Sequence, residues 1–356
     1  MSDEADSVLG RLTVRERLRW GGARFGRRAG ALILQIEGDD GSWPLRWIDG
    51  CRGVLPVGVT DAVVQGMDEE QEVVALLRAM TDGCGYEGRP PYALPIVFPR
   101  FAAARTALYV WRPEDGHNQH EQLNDLMRTV KEAIARAKRL TLPTAREHLT
   151  AALQGPFVAG LFNGLVGAVL DVAHVVRFPH RRAMRWFRTV RFPNARTDAM
   201  TCHALREGRT QWTPEQKQEL LVEALLADVE AHYGFWRRLN RVRRPVFLVP
   251  DVDTHPARRV VRDRLLAAYD GRSRELHAYP VVITTCRPDA ATPMRGARPA
   301  VPPDRLANEI PARFRERERV ARLRVVDADV PMPSRVVRLA LRPASVQQPV
   351  VPGSRS

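Results

Sequence analysis

The 356 residues allow two domains and a sizeable core, and 44% apolar with 27% charged residues is ordinary globular usage that excludes wholesale disorder. A net charge of +14 favours anionic partners, although 52 arginines against three lysines point to a GC-rich coding sequence as one source of that charge. The lysines are Lys131, Lys138 and Lys217, so the first 130 residues hold no lysine that could act on a phosphate.

In chain order, ALILQIE (31–37) and PLRWID (44–49) read as strands split by the turn-rich GDDGSW. Residues 68–80 read as a helix that Asp68 caps, with Gln71 three positions on and Val73, Val74, Leu76, Leu77 and Met80 as its apolar side. LPIVF (94–98), set between prolines, reads as a buried strand or extended segment. Leu123, Leu126, Met127, Val130 and Ile134 form one stripe of a helix over 120–140. His117 and His120 in HNQHE match neither H-E-x-x-H nor H-x-x-E-H, and read as loop residues before that helix. Residues 157–176, FVAGLFNGLVGAVLDVAHVV, are long enough to span a bilayer, but Asn163, Asp171 and His174 interrupt them, and the expectation is a buried glycine-rich segment.

Next comes RFPHRRAMRWFRTVRF (177–192), six arginines interleaved with aromatics and no acid. Arg181, Arg182, Arg185, Trp186 and Arg188 make it a candidate contact for nucleic acid or an anionic membrane surface. Thr213-Pro214-Glu215-Gln216 is a helix start with a capping box, leading to Leu221, Leu225, Leu226 and Val229 and stopping near Gly234. VFLVP (246–250), a helix over 256–269 and YPVVITT (279–285) then alternate strand, helix, strand. That pattern signals a parallel sheet covered by helices. A short helix at 311–320 and a strand RVVRLAL (335–341) follow, and the last dozen residues are expected to be disordered.

The expected organisation is an N-terminal α/β part over 1–150, which can add strands to the same sheet, then the apolar and arginine/aromatic segment 151–200. A second α/β unit over 201–345 and a tail 346–356 complete it. Four scattered cysteines without a C-x-x-C pair, and an acidic N-terminus, predict reduced thiols in the cytoplasm, with peripheral membrane contact through 177–192 as an option.

Active sites of parallel sheets lie at the carboxyl ends of strands. Those ends carry Asp251 and Asp253 after one strand and Thr284, Thr285 and Arg287 after the next. A strand-end acid that holds magnesium, beside a strand ending in polar residues, suits a sheet that meets a triphosphate. The block from LLVEALLADVE through VFLVPDVDTHP to YPVVITTCRPD resembles the ATPase region of actinobacterial STAND proteins, P-loop relatives of NACHT and AAA modules, over about residues 212–343. The resemblance implies a P-loop fold with ATP and magnesium as cofactors. It makes Asp251 or Asp253 the Walker B acid and places Thr284, Thr285 and Arg287 at a sensor strand.

The chain departs from that family where the chemistry is done. G-x-x-x-x-G-K-[ST] needs a lysine after glycine, and none of the three lysines follows one. The nearest spacing, Gly21-Gly22-Ala23-Arg24-Phe25-Gly26-Arg27-Arg28, puts Arg27 in place of the lysine and Arg28 in place of the magnesium hydroxyl, after a helical-looking TVRERLRW. The function expected is therefore a catalytically inactive STAND-like homologue, a regulatory or scaffold protein with a protein partner in signalling. A working ATPase with a non-standard phosphate loop, and a basic nucleic-acid or membrane binder, are the alternatives. For the acids themselves two other readings stand: Asp253 or Thr254 as a helix cap, and D-x-D of a manganese-dependent glycosyltransferase.

Overall fold

A computed structural model describes residues 31–37, 57–59, 67–84, 96–113, 116–139, 179–232, 246–271, 280–286 and 320–326. Five strands form one sheet: β1 (Ala31–Glu37), β2 (Val57–Val59), β3 (Val246–Val249), β4 (Val281–Cys286) and β5 (Val320–Val326). Their spatial order is β2-β3-β4-β1-β5, and every neighbouring pair is parallel. The strands are short and rich in Val and Ile, as suits a sheet covered by helices. β1 and β2, from the N-terminal α/β part, thus lie in one sheet with β3, β4 and β5.

Seven helices are described: α1 (Glu69–Gly83), α2 (Pro99–Arg105), α3 (Gln119–Arg139), α4 (Pro179–Val190), α5 (Asp198–Gln211), α6 (Pro214–His232) and α7 (Pro256–Gly271). All but α7 fall between β2 and β3, two strands that lie side by side. The connection between these neighbours thus carries a helical layer.

Local sequence explains the helix starts. The Asp68 carboxylate accepts the Gln71 N–H at 2.7 Å, which caps α1. At α6 the capping box closes in both directions: the Gln216 N–H donates to Thr213 Oγ1 at 3.4 Å, and the Thr213 N–H donates to Gln216 Oε1 at 3.1 Å. α6 is apolar on most sides, with Leu220, Leu221, Val222, Leu225, Leu226 and Val229 buried. Such a helix belongs inside a layer, and α6 touches α1, α2 and α7.

α2 starts differently. Phe98 occupies its cap position and makes no side-chain cap bond. The two leading N–H groups, of Arg100 and Phe101, instead donate to the carboxylate of Asp228 on α6 at 2.9 and 3.0 Å. The helix passes into a π-helical turn, Thr106–Val110, closed by the Trp111 N–H on the Thr106 carbonyl at 2.8 Å.

The sheet is buried on both faces at its described positions. Phe247 and Val249 of β3, with Val282 and Cys286 of β4, join the same apolar core as the helices. Leu248 and Ile283, in register across β3 and β4, point to the other face and are also buried. The Tyr269 hydroxyl at the end of α7 donates to the Pro280 carbonyl at 2.8 Å, which ties α7 to the entry of β4.

Several expectations shift. Residues 96–98, expected as a buried strand or extended segment, belong to no strand, and Phe98 at φ −112° and ψ 64° is not extended. β5 begins at Val320, where the helix over 311–320 was expected to end; alternation in VARLRVV suits an edge strand. The segments 44–49, 157–176 and 335–341 lie outside the described residues.

Candidate functional site

The strand order fixes where a ligand would meet the sheet. From β1 the chain crosses over β4 and β3 to reach β2, whereas from β4 it crosses over β1 to reach β5. Chains leaving the carboxyl ends of β4 and β1 therefore depart in opposite directions, and the crevice between two such strands is the binding position of open α/β sheets. Register places Glu37 opposite Cys286 at this point, with Gln35 opposite Thr284 and Ile36 opposite Thr285. Gln35 is fully buried, and its amide donates to the Cys286 sulfur at 3.3 Å.

β3 lies next to β4, and its exit turn carries the acids. The Asp251 N–H donates to the Thr285 hydroxyl at 3.0 Å, and the Val252 N–H donates to the Thr285 carbonyl at 3.0 Å. The acid-bearing turn is thus pinned to the end of β4. Asp251 has a φ of 49°, a left-handed conformation that Asp tolerates better than most residues. Its carbonyl accepts the N–H groups of Thr254 and His255, each at 3.3 Å, and the Thr254 hydroxyl at 3.2 Å. Surrounding bonds hold such strain in place.

The two acids differ in environment. Arg258, in the first turn of α7, is buried; its Nη1 donates to the Pro250 carbonyl at 3.2 Å and stands 3.7 Å from Asp251 Oδ2. Asp253 Oδ1 is buried and accepts no hydrogen bond. The helix-cap reading does not describe this turn: the Thr254 hydroxyl donates backward to Asp251, and no helix N–H among the described residues reaches Asp253.

Thr284 is fully buried and Thr285 nearly so. Asp251, Asp253, Thr284 and Thr285 therefore share one rim. Arg287, Gly21, Gly26 and Arg27 lie outside the described residues. The chain order puts Gly21–Arg28 ahead of β1, not after it.

The magnesium that the resemblance implies does not fit this donor set. The carboxylate nearest the β4 end is matched by a guanidinium. Among the described residues no group of three or more His, Cys, Asp and Glu side chains is placed so that it could hold a metal ion.

The arginine–aromatic stretch forms α4. Ala183, Met184 and Phe187 face the core, while Arg181, Arg182 and Arg185 are exposed. Burial first, then Arg100 and Arg185, depresses the Arg182 guanidinium. Trp186 is half-buried edge-on to Phe187, with centroids 4.9 Å apart. Arg188 turns inward: Nη1 donates to the Arg196 carbonyl at 2.9 Å and Nη2 lies 3.6 Å from Asp198. Arg191 pairs with Glu219 at 3.0 Å and Glu223 at 2.9 Å. The predicted contact set is thus divided between solvent and the interior.

Sequence reading missed two further groups. The His180 Nε2 lies 3.2 Å from Asp198 Oδ2, and burial lowers the His180 pKa against the pull of that carboxylate. Cys202, one turn after Asp198, has its thiol pushed up to about 12 by burial first and then by Asp198, which makes it a core thiol, not a nucleophile. The i,i+4 spacing of Asp198 and Cys202 was visible; the return of His180 to them is a tertiary contact.

No family model matches the chain, and neither a curated protein nor a solved structure is found to be similar to it. Among the described residues no helix is long and apolar enough to cross a membrane.

Proposed function

We propose that the chain is a STAND-like P-loop homologue that has lost its phosphate loop and serves as a regulatory or scaffold protein for a protein partner. The observation that carries this reading is the coupling of the Asp251 turn to Thr285, which brings the strand-end acids and the polar end of the next strand onto one rim. That juxtaposition is the one the resemblance implies for a Walker B acid and a sensor strand.

The sequence after β1 supports the inactive form of the reading. A phosphate loop opens at the carboxyl end of a strand and leads to a helix. The segment that follows β1 reads Gly38-Asp39-Asp40-Gly41-Ser42-Trp43-Pro44-Leu45. Against G-x-x-x-x-G-K-[ST], Trp43, Pro44 and Leu45 stand at the last three positions. Proline has neither the N–H nor the ammonium that a triphosphate needs, leucine has no hydroxyl for a metal, and two aspartates add like charge.

The test is hydrolysis of ATP and GTP by purified protein with magnesium. The reading expects no release of phosphate above the protein-free control. Turnover that disappears in Asp251→Ala or Asp253→Ala overturns it.

A second reading, an anionic surface bound through α4, draws on the exposure of Arg181, Arg182 and Arg185. It requires steep salt dependence and loss of binding when the three become Glu. An affinity that does not change with salt removes it.

A further inference from the structure

We propose that Arg258 is the resident cation of this rim, taking beside Asp251 the place that a divalent metal holds in a nucleotide-hydrolysing sheet, so that the rim takes up no metal. The inference rests on the nucleotide-sheet reading for that comparison. It goes beyond it in naming the residue that replaces the metal.

Arg258 is built into its position. It is 9% exposed, and a buried guanidinium is kept only where it is paired. One nitrogen, Nη1, serves both the Pro250 carbonyl at 3.2 Å and the Asp251 carboxylate at 3.7 Å. Both partners sit at the exit of β3, and Arg258 projects from the first turn of α7, the helix that follows that exit. The partner acid is equally fixed, since the Asp251 N–H and the neighbouring Val252 N–H are held by Thr285.

The chemistry differs from that of a metal in a defined way. A magnesium ion carries two charges and directs oxygen ligands octahedrally, usually with phosphates among them. A guanidinium carries one charge, donates hydrogen bonds and cannot be removed by a chelator. With Asp251 neutralised from within, a second cation at the same carboxylate meets like charge at contact distance. Asp253 is left as the acceptor without a donor, and one carboxylate alone is a weak metal ligand.

The test combines a metal titration with a double-mutant cycle, using the full chain. Mn2+ is titrated into wild-type protein and followed by the electron paramagnetic resonance of free Mn2+, without nucleotide. Unfolding is measured in urea for wild type, Arg258→Gln, Asp251→Asn and the double variant. The expected result is no Mn2+ uptake, together with an unfolding constant raised roughly tenfold by Arg258→Gln in wild type and by clearly less when Asp251 is already Asn. Strictly additive effects overturn the proposal, because the two residues then do not act on each other. Stoichiometric Mn2+ uptake that Asp251→Asn abolishes also overturns it, and this arm stands even if Arg258→Gln does not fold. Metal-independent ATP turnover by wild type would sink the inactive-homologue reading and leave this one. Mn2+ uptake without turnover would do the reverse.

Discussion

Removing the carboxylate of Asp228 should cost more stability than any surface change on this chain. Asp228 has no exposed side-chain surface, and it lies under the start of α2. It accepts the N–H groups of Arg100 and Phe101 and an Arg100 guanidinium N–H at 2.9 Å. Asp228→Ala leaves the two N–H groups at the start of α2 without their acceptor and takes the counter-charge from an Arg100 guanidinium that keeps only the Ala227 carbonyl, at 3.1 Å, and whose Nε already lacks a partner. Breaking a buried pair from one side costs about 3–5 kcal/mol. At about 2–4 °C per kcal/mol for a unit of this size, the melting temperature should fall by roughly 10 °C.

Protonation adds a second signature. Burial raises the Asp228 pKa from 3.8 to about 7, against the opposing pull of Arg100 and of the two N–H groups. Between these values the native state keeps a proton that the unfolded state has released. The unfolded chain binds fewer protons there, so this contribution to stability is complete below the unfolded pKa and is lost as pH rises towards about 7. Calorimetric melting of wild type and Asp228→Asn across that window isolates the term: the wild-type advantage should shrink as pH increases. An Asp228→Ala melting temperature within about 2 °C of wild type would refute the reasoning, because two helix N–H groups without their acceptor already exceed that cost.

Two further outcomes follow from packing and burial. A Cβ on Gly208 would sit 2.7–2.9 Å from ring carbons of Trp212, which stacks on Phe192 with centroids 5.9 Å apart; Gly208→Ala should lower stability by about 1–3 kcal/mol and change tryptophan fluorescence. Cys202, buried and with its thiol pushed up to about 12, should resist iodoacetamide in the native protein at pH 8 and react promptly in urea, with alkylation followed by mass spectrometry.

Local rules made part of this fold legible. The Thr213–Gln216 capping box, the Asp68 cap, the stripe of α3 and the strands β3 and β4 are all written in neighbouring residues, and the structure places each close to where periodicity puts it. α2 was not legible, because its cap is Asp228, 128 residues away in sequence. Nor was α4, where arginine density concealed Ala183, Met184 and Phe187 on one face.

The strand order was the costliest omission. Without knowing that β1 stands beside β4, a search for a phosphate loop falls back on spacing and lands on Gly21–Arg28. With β1 next to the switch point, the segment that matters in the sequence is the one that follows it. The rim itself was half legible. Asp251, Asp253, Thr284 and Thr285 stand at strand ends in the sequence, whereas the guanidinium that engages Asp251 comes from α7, and RRVVRDR offers no local sign that Arg258 is the arginine that reaches it.

The proposed inactive homologue and the Arg258 assignment both require a rim that binds neither a triphosphate nor a metal. The decisive measurement is thermal unfolding of the wild-type protein in ATP, with magnesium and then with a chelator. Ligands that bind only the folded state raise its melting point in proportion to saturation. The account predicts melting temperatures within about 1 °C of each other in the two conditions, whereas a magnesium-dependent rise of about 4 °C or more that Asp251→Ala removes would contradict it.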